Sequence, residues 1–113
     1  MSQPDLQIDP AALLPGMYRD GYFPNDLVDQ VRDVLLDACR RIEVERPANL
    51  DALYALTEEA TERINDLQDV FEERDSEIET VARDDIGLSF LQIARTYGFE
   101  DADPEELIAA RDW

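Results

Sequence analysis

Hydrophobic residues recur at three- and four-residue steps along most of this chain, the spacing that places side chains on one face of an α-helix. The longest such stretch runs from Asn49 to Asp75 and contains no Gly or Pro. When it is set as heptads, the a and d positions are Leu50, Leu53, Thr57, Ala60, Ile64, Leu67 and Phe71, flanked by Tyr54, Leu56 and Val70. The pattern predicts one long helix with a buried face.

The opposite face of this predicted helix is acidic. Its b, c and f positions hold Asp51, Glu58, Glu59, Glu62, Asp66, Asp69, Glu72 and Glu73. Carboxylates three or four residues apart on a helix repel one another. We therefore expect a strained, solvated surface that a cation or a basic protein could cover, and the candidate binding residues on it are Glu58, Glu59, Glu62, Asp66 and Asp69.

An earlier amphipathic stripe predicts a second long helix, capped by Asn25 or Asp26 and ending before Pro47, since the residue before a proline avoids helical geometry. Its core positions are Val28, Val31, Val34, Leu35, Ala38 and Ile42. The short connection to the acidic helix indicates that the two are antiparallel neighbours.

A third helix is predicted from Glu77 to Tyr97, because Ser76 and Glu79 have the spacing of a capping box and Gly98 can end a helix. The capping box indicates a break near Asp75, but the absence of Gly there leaves one continuous, bent helix as the alternative. Its buried positions are predicted to be Ile78, Val81, Ala82, Ile86, Phe90, Ile93 and Tyr97. A last short helix opens at Asp103-Pro104, and Trp113 should pack back onto the bundle.

Three prolines and Gly16 interrupt the first 16 residues. We expect an irregular, partly flexible N-terminal arm over residues 1–16, with one short turn at Asp9-Pro10 and with Leu13 and Leu14 lying on the bundle. Residues 17–113 should form a single domain. The predicted fold is all-α, an antiparallel three-helix bundle with a short fourth helix at its C-terminus.

The stretch from Met17 to Pro24 reads Met-Tyr-Arg-Asp-Gly-Tyr-Phe-Pro and holds three of the eight Tyr and Phe residues. Beside Gly21 and Pro24 it is typical of a loop. Two interpretations stay open. The aromatic rings could close one end of the bundle, or they could form a small recognition surface, because aromatic residues and Arg dominate binding hot spots. The candidate residues of that surface are Tyr18, Arg19, Asp20 and Tyr22.

The net charge is −18, and all ten basic residues are Arg. Such a charge disfavours nucleic acid and anionic membranes and favours a basic protein as partner. A GC-rich genome or a salt-adapted proteome would produce the same composition without a binding role. The single cysteine, Cys39, and the absence of an apolar leader or spanning segment predict a cytoplasmic protein. The sequence leaves the oligomeric state open.

Catalytic residues are scarce. The chain has no His and no Lys, which removes the usual bases for a nucleophile and the usual ligands of helical di-iron sites. Glu59-x-x-Glu62 matches half of the magnesium motif of all-helical nucleotide pyrophosphohydrolases. The other half fails, because Asp84 and Asp85 are preceded three residues earlier by Val81 and Ala82. We expect a binding module that is not an enzyme and that holds no cofactor or metal. The alternative function is that of a magnesium-dependent carboxylate hydrolase of this all-helical type.

Several short runs carry a resemblance to a known family. They are Met17 to Pro24, Ile64-Asn65-Asp66-Leu67, Ser76 to Asp84, Tyr97-Gly98-Phe99 and the closing Arg111-Asp112-Trp113. The chain resembles, from about Leu14 onward, a small bacterial family of acidic helical proteins catalogued as a domain of unknown function. The resemblance implies a single-domain cytosolic protein and supplies no activity, cofactor or site residue.

Overall fold

The structure is a computed structural model that describes residues 7–113. The first six residues of the predicted arm lie outside the described residues. A 3₁₀-helix at Pro10–Ala12 precedes five α-helices, which are α1 (Pro15–Arg19), α2 (Asn25–Glu45), α3 (Leu50–Glu73), α4 (Thr80–Thr96) and α5 (Pro104–Leu107). Three of them are long, so the predicted all-α fold with a short C-terminal helix is confirmed.

Helices α2 and α3 pack against each other along their length, and α4 packs mainly on α1 and α5. The predicted stripe of α2 is buried, and Leu27 and Cys39 are buried with it. Helix α2 ends where Arg46 turns into the left-handed region at φ 49°, and α3 starts where the side chain of Asn49 accepts a hydrogen bond from the Ala52 amide at 2.9 Å. The buried faces of α2 and α3 and the helix end before Pro47 account for this antiparallel helix pair.

The buried side of α3 agrees with the heptads, with one addition. Its fully or nearly fully buried residues are Leu53, Leu56, Thr57, Ala60, Thr61, Ile64 and Phe71, whereas Leu50 and Leu67 are half-buried. Thr61 was not predicted because it is polar and lies beside the a and d positions rather than on one of them. Its hydroxyl donates to the Thr57 carbonyl oxygen at 2.7 Å, which satisfies the hydroxyl inside the core.

The chain breaks after α3, with Asp75 at φ 59°, so of the two alternatives the continuous bent helix is wrong. The capping-box prediction is wrong. The Ser76 hydroxyl donates to the carbonyl oxygen of Tyr22 at 3.2 Å, and Glu79 stands at the N-cap of α4 without a side-chain hydrogen bond. Helix α4 therefore begins at Thr80 rather than Glu77. Val81, predicted to be buried, is 45% exposed, because it lies outside the face of α4 that carries the buried residues Ala82, Ile86 and Phe90.

The N-terminal predictions also need correction. Residues 17–24 are not all loop, because α1 begins at Pro15 and runs to Arg19. The caps predicted for α2 are wrong, since the N-cap is Pro24, which has no side-chain hydrogen bond. The predicted contact of Leu13 and Leu14 with the bundle is confirmed, since both are fully buried. Ile8 and Met17 are fully buried as well, so the segment before α2 is part of the hydrophobic core.

The C-terminal segment folds back as predicted. The Asp103 side chain accepts a hydrogen bond from the Glu105 amide at 2.9 Å and starts α5. Beyond α5, the Asn65 side-chain amide donates to the Ala110 carbonyl oxygen at 3.0 Å and its oxygen accepts from the Asp112 amide at 3.1 Å. Trp113 is buried. These contacts tie the end of the chain to α3.

Candidate binding surfaces

The acidic row of α3, which comprises Asp51, Glu58, Glu59, Glu62, Asp66, Asp69, Glu72 and Glu73, is exposed along its whole length. One basic residue, Arg63, lies on the same helix. Among residues 7–113, Glu59 is the only member of the row in an ion pair, with Nη1 of Arg41 at 2.7 Å from its carboxylate. Arg63 instead pairs with Asp37 of α2 at 3.1 Å. The row is therefore largely uncompensated within the described chain.

A depression of about 320 Å³ lies between α2 and α3 beside this row. Its lining combines the apolar side chains of Val34 and Leu67 with the carboxylates of Asp33 and Asp66, and includes Gln30 and Arg63. A Lys or Arg side chain can bury its aliphatic stem against apolar side chains while its cationic head pairs with a carboxylate. The chemistry of the depression suits an incoming basic side chain.

Tyr18 does not stand free as a recognition residue. Its hydroxyl donates a hydrogen bond to a carboxylate oxygen of Asp29, and Cζ of Arg32 lies 5.2 Å from the centre of its ring. Burial, followed by the hydrogen bond to Asp29, raises the pKa of the Tyr18 phenol to about 12. The side chain joins α1 to α2 and is half-buried, so its first role is structural.

Two of the other three candidates in this segment are more accessible, whereas Asp20 is half-buried like Tyr18. Arg19 is exposed, and Tyr22 is 45% exposed with its ring edge-on to the buried ring of Phe23, 5.1 Å between centroids. The Asp20 carboxylate accepts a hydrogen bond from the Tyr22 amide at 3.0 Å, which closes the turn. The segment therefore combines both interpretations: Met17 and Phe23 enter the core, while Arg19 and Tyr22 face solvent.

This turn lies beside the C-terminal end of α3. Besides the hydrogen bond from Ser76 to the Tyr22 carbonyl, the guanidinium of Arg74 pairs with Asp26 at 2.9 Å. The pair holds the pKa of the Asp26 carboxyl below its usual range, chiefly through the hydrogen bond from Arg74. The turn that carries Tyr22 is therefore joined to the C-terminal end of the helix that bears the acidic row.

The four acids of the magnesium hypothesis have separate roles. Glu59 is paired with Arg41, and Glu62 lies exposed one turn further along α3. Asp84 is exposed on α4, whereas Asp85 is buried and accepts a hydrogen bond from the Met17 amide at 2.8 Å. Within residues 7–113, no three Asp, Glu or Cys side chains are grouped so that they could hold one metal ion. The geometry offers this hypothesis no support.

Asp85 and its neighbour Ser89 anchor the N-terminal segment. Leu14 adopts φ 56°, a left-handed conformation that costs free energy for a residue with a side chain. Its amide donates to the Ser89 hydroxyl at 3.0 Å, and the Met17 amide donates to Asp85. A Cβ on Gly16 would lie 3.2 Å from Cγ of Asp85, so the close approach favours glycine there. The two polar side chains hold this turn against α4.

Cys39 is fully buried. Burial raises the pKa of its thiol to about 12, so the thiolate that a nucleophile requires is not formed near neutral pH. Burial, and then a hydrogen bond to Glu43, also raises the pKa of the nearby Tyr97 phenol. This cluster is a structural contact between α2 and the end of α4.

Sequence reasoning missed two features of these surfaces. Asp33 of the depression was overlooked because its role depends on the register of α2 against α3. Asp85 was considered as a metal ligand, although its position four residues before Ser89 places both polar groups on the core side of α4. A polar pair at that spacing among buried residues is a signal for a docked backbone segment.

The fold and these surfaces define an all-helical protein with one strongly acidic face. Residues 7–113 match DUF5713, a family of unknown function, and the chain belongs to that family. Comparisons with curated proteins and with solved structures gave no match. In residues 7–113 the structure has no helix of the length and apolarity needed to cross a membrane.

Proposed function

We propose that this chain is a binding module that recognises a basic protein through the acidic row of α3, in the manner of immunity proteins and other inhibitors. The observation that carries the proposal is the exposed and largely unpaired state of the row. Like-charge neighbours on a helix are destabilising, and a basic surface that covered them would stabilise the native state on binding.

The depression between Asp33 and Asp66 gives the proposal a specific anchor point. Arg63 supplies an example of the contact within the chain itself, since its guanidinium lies 3.1 Å from the Asp37 carboxylate across the same two helices. A basic side chain of the partner would enter beside Val34 and Leu67 and pair with the remaining carboxylates. Arg19 and Tyr22, beside the end of α3, would extend the contact.

Affinity capture from cells that naturally make the protein tests this proposal with three baits. The first is the unaltered chain, the second carries Asp33→Asn and Asp66→Asn, and the third carries Glu77→Gln and Glu100→Gln. The last two variants lose the same charge, but Glu77 and Glu100 are exposed outside α3. We expect a basic protein that the first and third baits retain and the second loses, and that added salt releases.

The proposal fails if the depression variant retains the same proteins as the unaltered chain. It also fails if every captured protein is lost equally from the second and third baits, because net charge alone would then account for the binding.

A further inference from the structure

The outer face of α4 carries a row of exposed and half-buried residues, the α4 seam, which is distinct from the acidic row of α3. Its residues follow one another at steps of three, four, three and four, the spacing of a and d positions in a coiled coil. They are Val81, Asp84, Leu88, Leu91 and Arg95. Leu88 is 64% exposed and Val81 is 45% exposed, although leucine and valine on a helix at this spacing are ordinarily covered.

Two depressions flank this seam. One, of about 330 Å³, lies toward the C-terminal segment and is lined by Gly87, Leu88, Leu91 and Ile108 among others. The other, of about 210 Å³, lies toward the N-terminal segment, where Ala12 and Pro15 contribute to the lining beside the same two leucines. A ridge of side chains with a groove on each side is the surface that helices use to pack against one another.

The charges on the seam favour one particular occupant. Asp84 and Arg95 are both exposed, and neither forms an ion pair with any other described residue. An all-acidic or all-basic partner would satisfy one of them and repel the other. A second α4 running antiparallel, with Leu88 opposite Leu91, would place Asp84 opposite Arg95 at both ends of the contact.

We propose that α4 is the interface of a homodimer, in which two copies of this chain pack their α4 helices antiparallel about a two-fold axis. Such an interface is self-complementary, because each residue meets its counterpart twice. The two leucine pairs form its centre, the two Asp84–Arg95 pairs flank them, and the grooves beside Gly87 receive the partner's leucine side chains. This surface is separate from the acidic row, which stays open to a basic protein.

Sedimentation velocity of the unaltered chain from about 1 µM to about 1 mM covers dimers of moderate and weak affinity. Each copy carries a charge of −18, so measurements at ~0.05 M and ~0.5 M salt separate long-range repulsion from the contact itself. We expect a monomer–dimer equilibrium that is tighter at the higher salt concentration. A monomer throughout both series would overturn the proposal.

Two sets of variants locate the interface. Leu88→Glu should raise the dimer dissociation constant at least about tenfold, because it places a charge at each central contact. Val44→Glu is the matched control, since Val44 is 81% exposed on α2 and lies outside the seam. Equal weakening by the two substitutions would contradict the assignment, and circular dichroism verifies that both variants keep their helix content.

A charge exchange tests the antiparallel register. Asp84→Arg alone and Arg95→Asp alone each create two like-charge contacts and should weaken the dimer on the order of tenfold. The double variant exchanges the charges and should restore the affinity of the unaltered chain. If the double variant is as weak as either single variant, Asp84 and Arg95 do not meet and this register is wrong.

Discussion

The exposed faces of α3 and α4 present opposite chemistry to solvent. That of α3 has eight acidic residues and one Arg, with no large hydrophobic side chain fully exposed among them. That of α4 has Asp84 and Arg95 around Leu88, which is 64% exposed. The net charge of −18 describes the whole chain and does not reveal this difference between the two helices. The comparison shows that the acidity of the chain is concentrated on particular elements and leaves one helix with a nearly neutral, apolar surface.

The largest expected effects come from the sides of α3 and α4 that face the core, where the two helices should behave alike. Phe71 on α3 and Phe90 on α4 are both fully buried. Phe71→Ala and Phe90→Ala should each lower the free energy of unfolding by ~3–5 kcal/mol, through lost burial and the cavity left behind. Urea denaturation measures the loss.

The controls for this prediction are Glu72→Ala on α3 and Leu88→Ala on α4, measured at a protein concentration below any self-association. Exposed positions of this kind should change stability by within about 0.5 kcal/mol. A cost at Leu88 comparable to that at Phe90 would show that the α4 seam is part of the monomer core, and the contrast between the two exposed faces would no longer hold.

Asp84 and Asp85 sharpen the contrast on α4, because adjacent acids lie on opposite sides of the helix. Asp85→Ala leaves the Met17 amide without its acceptor and should cost ~1–3 kcal/mol. Asp84→Ala should have little effect on the monomer. Asp85→Asn keeps an acceptor oxygen and should recover part of the loss. Thermal denaturation of the three variants decides the point, and equal effects of the two alanine substitutions would refute it.

Removing charge from the exposed face of α3 should increase stability, in contrast to the substitutions above. Glu62→Gln with Asp66→Asn removes four like-charge pairs at three- or four-residue spacing and loses one attraction to Arg63, so stability should rise by ~0.6–1.5 kcal/mol. Glu77→Gln with Glu100→Gln is the control of equal charge. The melting temperature of the unaltered chain should also increase between ~0.01 and 0.5 M salt, and by more than that of the α3 variant. A gain in the control as large as in the α3 variant would mean that net charge, not the row, is the cause.

The smallest effect is expected at the turn between α1 and α2, which serves as a reference for both faces. Arg19→Ala with Tyr22→Ala should leave helix content intact and stability within roughly 0.5 kcal/mol per substitution, because Arg19 is exposed and Tyr22 partly so. Circular dichroism with a thermal melt measures this. Unfolding of the double variant would mean that Tyr22 closes the end of the bundle rather than contributing to a surface.

Periodicity was sufficient to predict the long helices, because burial of one face at the 3.6-residue repeat dominates their stability. It also identified the acidic row correctly as an exposed face. It failed at Val81, which is exposed, and at the starts of α4 and α2, where Ser76 bonds to the Tyr22 carbonyl and Pro24 occupies the N-cap. A local motif such as the capping box does not form when a distant part of the chain offers one of its groups another hydrogen bond. The Ser76 hydroxyl makes such a bond to the Tyr22 carbonyl oxygen.

The candidate surfaces divide in the same way. The five α3 acids could be chosen from the heptads alone, whereas Tyr18 was chosen by residue type and is engaged by Asp29 and Arg32. The depression beside Asp33 could not be predicted, because a groove between two helices depends on their register and separation. The seam on α4 went unnoticed since Val81 had been assigned to the core.

The sequence by itself determined the helical class, the return of the C-terminal segment and the charge of α3, because these follow from residue spacing and from chemistry within one element. Only the tertiary structure decided which residues of α4 face solvent, and that Asp85 and Ser89 hold the left-handed turn at Leu14. These contacts join residues more than 65 positions apart, and no pattern along the chain encodes such a pairing before the helices pack.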